Sequence, residues 1–476
     1  MTSTTRSTGS RTARTARPAK PAWACSECGW TTAKWAGRCG ECQAWGSVVE
    51  EAAPAGPRTT ATSPLRSPAR PIGEIDVDSA RARPTGVGEL DRVLGGGLVP
   101  GAVVLLAGEP GVGKSTLLLD VAGRLGREPG ARVLYVTGEE SAGQVRLRAE
   151  RIGAVAPGLL LAAETDLGTV LGHIEAVEPT LLVVDSVQTV ASTQVDGAPG
   201  GVSQVREVAA ALIAAAKERG IPALLVGHVT KDGTVAGPRT LEHLVDVVCQ
   251  FEGDAHTRLR MVRATKNRYG PTDEVGCFDL TEEGIVELPD PSGLFLSRTS
   301  HPVAGTCVTV TLEGRRPMAV EVQALVVPSL LSNPRRTTSG VDASRLAMVL
   351  AVLQRRAGAP LGDRDIYVST VGGARIATPA SDLGIALAVA SATADVPVGE
   401  DLVAIGEVGL AGEIRAVAGI GRRLAEARRL GFTRAVVPAG STAGTDLPDG
   451  MRVVEAAHLA QAVEVARRQG EHAGQR

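Results

Sequence analysis

One stretch constrains the fold of this chain more than any other. Residues 108–116, GEPGVGKST, fit the pattern G-x-x-x-x-G-K-[ST] of a phosphate-binding loop. An apolar run at 102–107 predicts a buried strand before the loop, and apolar spacing over 117–125 predicts a helix after it. Glycines let backbone N–H groups turn towards phosphate oxygens, and the helix N-terminus adds partial positive charge. The alternative, a glycine-rich turn with an accidental lysine, leaves both neighbouring segments unexplained.

The residues of this phosphate loop have separate expected roles. Lys114 is expected to reach the β- and γ-phosphates of a nucleotide, and Ser115 to offer its hydroxyl to Mg²⁺. ATP is the expected nucleotide. The predicted nucleotide-binding residues are Gly108, Glu109, Pro110, Gly111, Val112, Gly113, Lys114, Ser115 and Thr116.

Apolar segments after the loop predict alternating strands and helices around a mostly parallel sheet. Strands are expected at 132–137, 181–185 and 223–226, and helices at 144–151 and 202–217. The carboxyl ends of such strands are where ligands bind in open α/β sheets. Polar residues that follow these strands are therefore candidates for the active site.

Four polar residues occupy those positions. Asp185 fits a carboxylate that holds Mg²⁺ through water. Either Glu139 or Glu140 is expected to polarise the attacking water, with a pair favoured by a helix N-terminus as the alternative. His228 is either a sensor of the γ-phosphate or a structural histidine.

Near the N-terminus, two C-x-x-C pairs are separated by ten residues and match a tetrahedral Cys₄ zinc site. The segment is too short for a core of its own, so metal binding must supply its folding energy. Iron is the alternative ion, and disulfides are disfavoured in a reducing compartment. The predicted ligands are Cys25, Cys28, Cys39 and Cys42, and the expected apolar cluster of the module is Trp23, Trp30, Trp35 and Trp45.

Composition limits the choice of partners and compartment. The formal net charge of -2 excludes a bulk polycation, so affinity for nucleic acid must come from local patches. No apolar run is long enough to span a bilayer, and the N-terminal residues lack the apolar region of a secretory signal, so a cytoplasmic protein without membrane contact is expected. The expected organisation is a disordered tail at 1–22, the Cys₄ module at 23–48, a linker at 49–71, an ATPase domain at 72–288 and a second domain at 292–470.

Three further segments have two interpretations each. Residues 189–204 and 230–239 are predicted loops that either face DNA or lie on an ordinary surface. Residues 266–270, KNRYG, contain the cations Lys266 and Arg268. They form either a solvated hairpin corner or a cation pair that reaches DNA or the nucleotide of a neighbouring subunit.

The Cys₄ motif, GEPGVGKST, HVTKDGTVAGPRTLEH and KNRYG follow one another in the order of the bacterial RadA (Sms) family, which the chain resembles from Trp23 to about residue 465. The resemblance implies a RecA-like middle domain related to hexameric DnaB-type helicases. It implies an ATPase of recombinational repair that acts beside RecA on strand exchange and branched intermediates. It also implies a homo-oligomeric ring, expected to be a hexamer, that binds single-stranded DNA through the two predicted loops. The resemblance also implies that Lys266 and Arg268 are the signature cations of the family, which couple the state of the bound nucleotide to the action of the protein on DNA.

Two stretches of the C-terminal third stand out, TPASDLGI at 378–385 and GEVGLAGEIRAVAGIGRR at 406–423. Through them the chain from residue 292 onwards resembles the proteolytic domain of Lon, which uses a serine nucleophile and a lysine base. The best register places Asp382 at the serine position, with Ser381 one residue away, and Arg423 at the lysine position. The six lysines of the chain end at Lys266, and arginine, with a pKa above ~12, cannot act as a neutral base. Peptidase activity is therefore not expected.

Together these features predict an α/β protein: a RecA-like P-loop ATPase core, an N-terminal Cys₄ zinc module and a C-terminal Lon-protease-like α/β domain. The C-terminal domain is expected to be a ring scaffold. The alternative functions are an ATP-dependent Lon-like protease and a nucleotide-switched ring scaffold without translocation. The arginines of the C-terminal domain either bind duplex DNA or form a solvated face; they include Arg315, Arg316, Arg335, Arg336, Arg355 and Arg356.

Overall fold

A computed structural model describes residues 22–51, 71–74, 77, 80–228, 240–253, 258–297 and 303–473. The chain divides into two compact units, Met1–Ile75 and Asp76–Arg476. The predicted loop at 230–239, nearly all of the predicted tail and most of the predicted linker lie outside the described residues. Within the described part of the chain, none of the helices combines the length and apolarity that crossing a bilayer requires.

The first unit contains a small antiparallel sheet. Strand β1 (Ala22–Cys25) pairs with β2 (Thr31–Thr32) on one side and with β3 (Val48–Glu51) on the other. Such a small sheet buries few side chains, so the stability of the unit depends on the four cysteine ligands described below.

The tryptophans of this unit do not form one cluster. Trp23 and Trp30 pack against the small core, but Trp35 is 64% exposed and Trp45 is 78% exposed. The expectation of a single apolar tryptophan cluster is therefore wrong. The physical reason is that the one small core of this unit, around Cys25, Cys39 and Val48, takes up only two of the four indoles.

The second unit begins with a nine-stranded sheet. Its described elements in chain order are α1 (Gly88–Leu94), β4 (Val103–Gly108), α2 (Lys114–Leu125), β5 (Val133–Thr137), α3 (Ala142–Arg151), β6 (Leu159–Ala163), α4 (Leu167–Val177), β7 (Leu181–Asp185), α5 (Val202–Arg219), β8 (Ala223–His228), β9 (Val247–Gly253), β10 (Leu259–Asn267), β11 (Val275–Leu280) and β12 (Ile285–Glu287). The strands are ordered β12-β11-β10-β9-β4-β8-β7-β5-β6.

Strands β9, β4, β8, β7, β5 and β6 run parallel, and β10 to β12 extend the sheet in antiparallel fashion. Every residue of β4, β5 and β7 is buried, as expected for parallel strands that are covered on both faces. The mostly parallel α/β sheet and its predicted strands are confirmed. The helix predicted at 202–217 continues to Arg219, where Gly220 ends it with a φ of 66°.

A second sheet forms the C-terminal region. Its described elements are β13 (Thr306–Glu313), β14 (Arg316–Pro328), β15 (Arg336–Ser339), α6 (Ala343–Arg356), β16 (Arg364–Thr370), α7 (Asp382–Ala394), β17 (Leu402–Ala404), β18 (Glu407–Val408), β19 (Ile414–Arg415), α8 (Ile420–Arg429), β20 (Arg434–Pro438), β21 (Arg452–Ala456) and α9 (Leu459–Ala473). Seven strands are ordered β15-β16-β14-β13-β17-β20-β21, and β18 pairs only with β19 among the described strands.

The two sheets of the second unit share one core. Val275 and Cys277 of β11 lie in the same apolar cluster as Met318 and Val320 of β14. A buried ion pair connects the sheets beside this cluster.

This ion pair joins Arg316, at the start of β14, to Glu89 of α1. Both side chains are more than nine-tenths buried. The Arg316 guanidinium also donates to the Val275 carbonyl at 3.1 Å, and Glu89 accepts the Cys277 N–H at 2.9 Å. Both expectations for Arg316, a surface that binds duplex DNA and a solvated face, are therefore wrong, because its side chain is buried and its charge is paired inside the protein.

We expect Arg316→Ala to lower the free energy of unfolding by about 3–5 kcal/mol, because the change leaves the Glu89 carboxylate buried without its partner. Denaturant unfolding measures the effect. The matched control is Arg315→Ala, since Arg315 is 49% exposed and its ion pairs with Asp273 and Glu274 are long, 3.7 Å each. The control should cost no more than about 1 kcal/mol. Equal losses in both variants would show that the buried pair does not hold the two sheets together.

Candidate functional site

The phosphate loop connects the end of β4 to the start of α2. Gly113 has a φ of 112° and Gly111 a φ of 77°, backbone conformations that residues with a side chain rarely adopt. A Cβ on Gly108 would lie 2.4 Å from the Phe251 carbonyl oxygen, and a Cβ on Gly113 would lie 2.4 Å from Ile285. The loop therefore needs glycine for both its backbone conformation and its close packing, as the motif predicts.

Lys114 is the first residue of α2 and is only 3% exposed. Its Nζ donates to the carbonyls of Gly108 and Glu109, at 2.9 Å in both cases. Burial lowers the pKa of this ammonium, while the nearby carboxylates of Asp185 and Glu139 oppose that shift. The cation is thus held against the loop that the motif assigns to phosphate.

Asp185 ends β7 and is 6% exposed. Its Oδ2 accepts a hydrogen bond of 2.8 Å from the Tyr135 hydroxyl, whereas its Oδ1 has no hydrogen-bond partner among the described residues. Burial and the neighbouring Asp185 raise the pKa of Tyr135, so the phenol stays a donor. A buried carboxylate oxygen of this kind suits a hydrated Mg²⁺ ion, which prefers oxygen ligands.

The two adjacent glutamates have different surroundings. Glu139 Oε1 accepts from the Ser186 hydroxyl at 2.7 Å and lies 2.9 Å from His228 Nε2. Glu140 instead forms an ion pair with Arg148 of α3. Helix α3 begins after both glutamates and is capped by Ser141, so neither glutamate serves as its cap.

The order of strands explains why these residues meet. Strands β5, β7, β8 and β4 are neighbours in the sheet and run parallel, so their carboxyl ends share one edge. Glu139 follows β5, Asp185 ends β7 and His228 ends β8, while the phosphate loop follows β4. Four elements that are far apart in sequence therefore supply one candidate active site.

A cleft of about 500 Å³ opens beside the phosphate loop, within the range typical of ligand pockets. Its far wall is formed by residues 250–253 of β9 and by Arg260 of β10. The sequence analysis missed this wall. Phe251 faces Gly108 only because β9 pairs with β4 in parallel register, and no local motif signals that pairing.

The structure does not bring Lys266 and Arg268 to the phosphate loop of their own chain. Arg268 pairs with Asp246 Oδ1 at 3.1 Å, and the other oxygen of Asp246 accepts the Val103 N–H at 3.1 Å. Val103 begins β4, while the phosphate loop follows the opposite end of this strand, at Gly108. The two predicted catalytic cations therefore lie at the far end of the sheet.

Lys266 lies at the same end of the sheet as Arg268 and is half-buried. Its Nζ donates to the carbonyls of Glu242 and Val245, at 2.7 and 2.8 Å. These carbonyls belong to the segment that follows the predicted loop at 230–239 in the sequence. The KNRYG segment is thus not a freely solvated hairpin corner, because both of its cations hold the chain that leads into β9.

The predicted loop at 189–204 is shorter than expected, because α5 begins at Val202. Gln204 is 2% exposed and closes the loop: Ser192 N–H donates to its Oε1 at 2.8 Å, and its Nε2 donates to the Ser192 carbonyl at 3.0 Å. Gln204 therefore does not belong to a surface that faces a ligand.

The four predicted zinc ligands meet in the first unit. Their sulfur atoms all lie within 4.8 Å of one another. The Cys25–Cys42 and Cys28–Cys39 sulfur distances are 3.7 and 3.6 Å. A tetrahedral ion with Zn–S bonds of ~2.3 Å has sulfur–sulfur distances of about 3.8 Å, so the cluster fits zinc.

The residues that align with a Lon dyad do not form one. Asp382 is 1% exposed and accepts from Arg345 Nε at 2.7 Å and from the Val408 N–H at 3.0 Å. Arg423 is also buried, and it donates to the Ala418 carbonyl at 3.1 Å rather than to Asp382. Burial lowers the pKa of Arg423 to about 10, so its guanidinium remains charged at neutral pH. Ser381 is fully buried.

Family models match three separate parts of the chain. A family model described as an AAA domain matches residues 69–234, and one described as a rubredoxin metal binding domain matches residues 23–50. A third, described as subunit ChlI of Mg-chelatase, matches residues 348–441. The predicted fold class, a P-loop ATPase core between a Cys₄ module and a Lon-like α/β region, is confirmed.

Curated relatives match almost the whole chain. The DNA repair protein RadA of Mycolicibacterium smegmatis is 56% identical over 452 residues, which cover 93% of this chain and 96% of the relative. The protein of the same name from Mycobacterium tuberculosis is 53% identical, and the match covers 92% of this chain and 92% of that protein. The one from Pseudomonas aeruginosa is 47% identical, and the match covers 93% of this chain and 98% of that protein. A solved structure of the RadB recombinase covers 43% of this chain and 98% of its own, at 24% identity and a TM-score of 0.34. The identity and coverage of the curated relatives place the chain in the DNA repair protein RadA family.

Proposed function

We propose that this chain is a DNA-dependent ATPase of recombinational repair. It binds single-stranded DNA and promotes strand exchange, branch migration and the processing of recombination intermediates alongside RecA. The observation that carries the proposal is the meeting of Lys114, Asp185 and Glu139 at one edge of the sheet, with Lys266 and Arg268 at the opposite edge. The names of its relatives support a role in repair.

In the proposed reaction Lys114 binds the β- and γ-phosphates of ATP, while Ser115 and Asp185 hold Mg²⁺. Held by these residues, Mg²⁺ would supply positive charge against the phosphates during transfer to water. Glu139 accepts the proton of the attacking water. Glu140 is not proposed for this role, because its carboxylate already neutralises Arg148.

His228 has a positioning role in this proposal. It lies 2.9 Å from the Glu139 carboxylate and is the last described residue before the predicted loop at 230–239. In this proposal a γ-phosphate beside Glu139 alters the hydrogen bond between Glu139 and His228, and the change reaches the loop because the loop follows His228 in the sequence. Such a connection couples the nucleotide to DNA bound at the loop.

The cations of the KNRYG segment complete the proposal. Since Lys266 and Arg268 lie at the far end of β4 from their own phosphate loop, their effect on nucleotide state is proposed to act between subunits. A head-to-tail ring, proposed to be a hexamer, repeats such a heterologous contact at every interface. In that ring the cations of one subunit meet the nucleotide of its neighbour or the DNA.

Zinc is the proposed ion of the Cys₄ site, on the sulfur geometry described above. A protease function is not proposed. The position of a lysine base is occupied by a charged, buried arginine, and the neighbouring serine is fully buried.

Glu139→Gln is expected to lower ATP turnover by about 10²- to 10⁴-fold, because glutamine cannot accept the proton of the attacking water. ATP binding should persist, since the phosphate loop is unchanged. Steady-state phosphate release and nucleotide-binding titrations measure the two effects. Glu140→Gln is the matched control and should remain close to the wild type. Similar losses in both variants would contradict the assignment of the two glutamates.

Lys266→Ala is expected to keep nucleotide binding and to lose the stimulation of ATP hydrolysis by single-stranded DNA. The proposed reason is that the cation acts between subunits rather than on its own phosphate loop. Hydrolysis rates with and without DNA test this, with Lys217→Ala as the control. Lys217 lies 3.1 Å from the Asp246 carboxylate, whereas Lys266 binds the carbonyls of Glu242 and Val245 in the segment before β9. If hydrolysis by the wild type ignores DNA, the proposed function fails.

A further inference from the structure

The Cys₄ unit displays two indoles that its core does not use. Trp35 is 64% exposed and Trp45 is 78% exposed, and both rings border Gly37. A Cβ on Gly37 would lie 3.6 Å from the Trp35 ring and 4.0 Å from the Trp45 ring. Because Gly37 has no side chain, the space between these two exposed rings stays open, and Arg38 lies over one face of the Trp45 ring. We name these two rings and Gly37 the indole platform.

The indole platform is held in place by the second cysteine pair. Arg38 and Trp45 form an isolated antiparallel bridge, and the Gly46 N–H donates to the Gly37 carbonyl at 2.9 Å. Inside that bridge, the Cys39 N–H donates to the Ala44 carbonyl at 2.9 Å. The backbone that carries Trp45 is thus fixed by the same turn that presents the metal ligands.

Cations lie beside the platform. The Arg38 guanidinium is 5.7 Å from the centre of the Trp45 ring, and its Nε is fixed by the Gln43 carbonyl at 3.0 Å. Lys34 is exposed and directly precedes Trp35, although the whole chain has only six lysines. These two positive charges suit an anionic ligand that also has flat rings.

We infer that the indole platform is a stacking site for unpaired bases of single-stranded nucleic acid, with Lys34 and Arg38 facing its phosphates. Aromatic faces flanked by cations are the elements of sequence-tolerant binding to single strands. Residues 31–46 contain a single carboxylate, Glu41, so little negative charge in this segment opposes a phosphate backbone. The inference rests on the proposed function, because it adds a second DNA contact to that of the ATPase sheet.

Tryptophan fluorescence, excited selectively over that of the three tyrosines, reports on this unit alone, since all four tryptophans of the chain lie between residues 23 and 45. We expect a single-stranded oligothymidylate to quench the emission of the full-length, zinc-loaded protein. A duplex of the same length should quench it far less, because its bases are already stacked on one another. The experiment uses no nucleotide, so it does not depend on ATP hydrolysis.

The matched variants are Trp35→Ala/Trp45→Ala and Trp35→Phe/Trp45→Phe. The alanine pair should lose the quenching while Trp23 and Trp30 still emit and zinc content stays unchanged, since both replaced side chains are exposed. Its affinity for labelled oligothymidylate should fall roughly tenfold or more, the scale of one lost stacking contact. The phenylalanine pair keeps two aromatic faces and should retain most of the affinity.

Unchanged emission on adding DNA would overturn the inference, as would unchanged affinity in the alanine pair. A response to a RecA filament without a response to DNA alone would also overturn it, in favour of a protein surface. The ATPase assay separates the two proposals. DNA-stimulated hydrolysis without a tryptophan response rejects only the platform, whereas absence of both responses rejects the proposed function as well.

Discussion

The second unit depends on the central strand β4 and on the different partners at its two ends. At the amino end, the buried Asp246 carboxylate accepts the Val103 N–H at 3.1 Å and pairs with Lys217 and Arg268. At the carboxyl end, the phosphate loop begins at Gly108, which packs closely against the Phe251 carbonyl. One strand therefore separates the KNRYG cations from the nucleotide cleft. This separation is the physical reason for proposing that hydrolysis and DNA work are coupled between subunits.

The C-terminal region uses its polar interior for structure. Asp382, at the serine position, is neutralised by Arg345 and by the Val408 N–H. Arg423, at the lysine position, holds backbone carbonyls instead of activating a nucleophile. The Glu89–Arg316 pair and a shared apolar cluster join this region to the ATPase sheet. Buried contacts rather than a flexible linker therefore join the C-terminal region to the ATPase sheet.

Features with a local signature were predictable from the sequence, and features set by sheet order or by distant partners were not. The phosphate loop, the strand that ends at Asp185 and the Cys₄ ligands each depend on nearby residues, and the structure contains all three. The wall of the cleft at Phe251 depends on the pairing of β9 with β4. The burial of Arg316 depends on a partner 227 residues away. The exposure of Trp35 and Trp45 depends on how few side chains the small core can take, which composition does not reveal.

Coupling between subunits is tested most directly by mixing subunits that carry Lys114→Ala with subunits that carry Lys266→Ala and measuring DNA-stimulated ATP hydrolysis. Each variant alone should be inactive in this assay. If the two lysines act across an interface, random mixing in equal amounts places an intact phosphate loop beside an intact Lys266 at about a quarter of the interfaces of a head-to-tail ring. If coupling acts between subunits, the DNA-stimulated rate of ATP hydrolysis should recover to a comparable fraction of the wild-type rate. Chains that carry both changes should show no recovery. No recovery on mixing would contradict coupling between subunits, because both lysines would then have to act within one subunit.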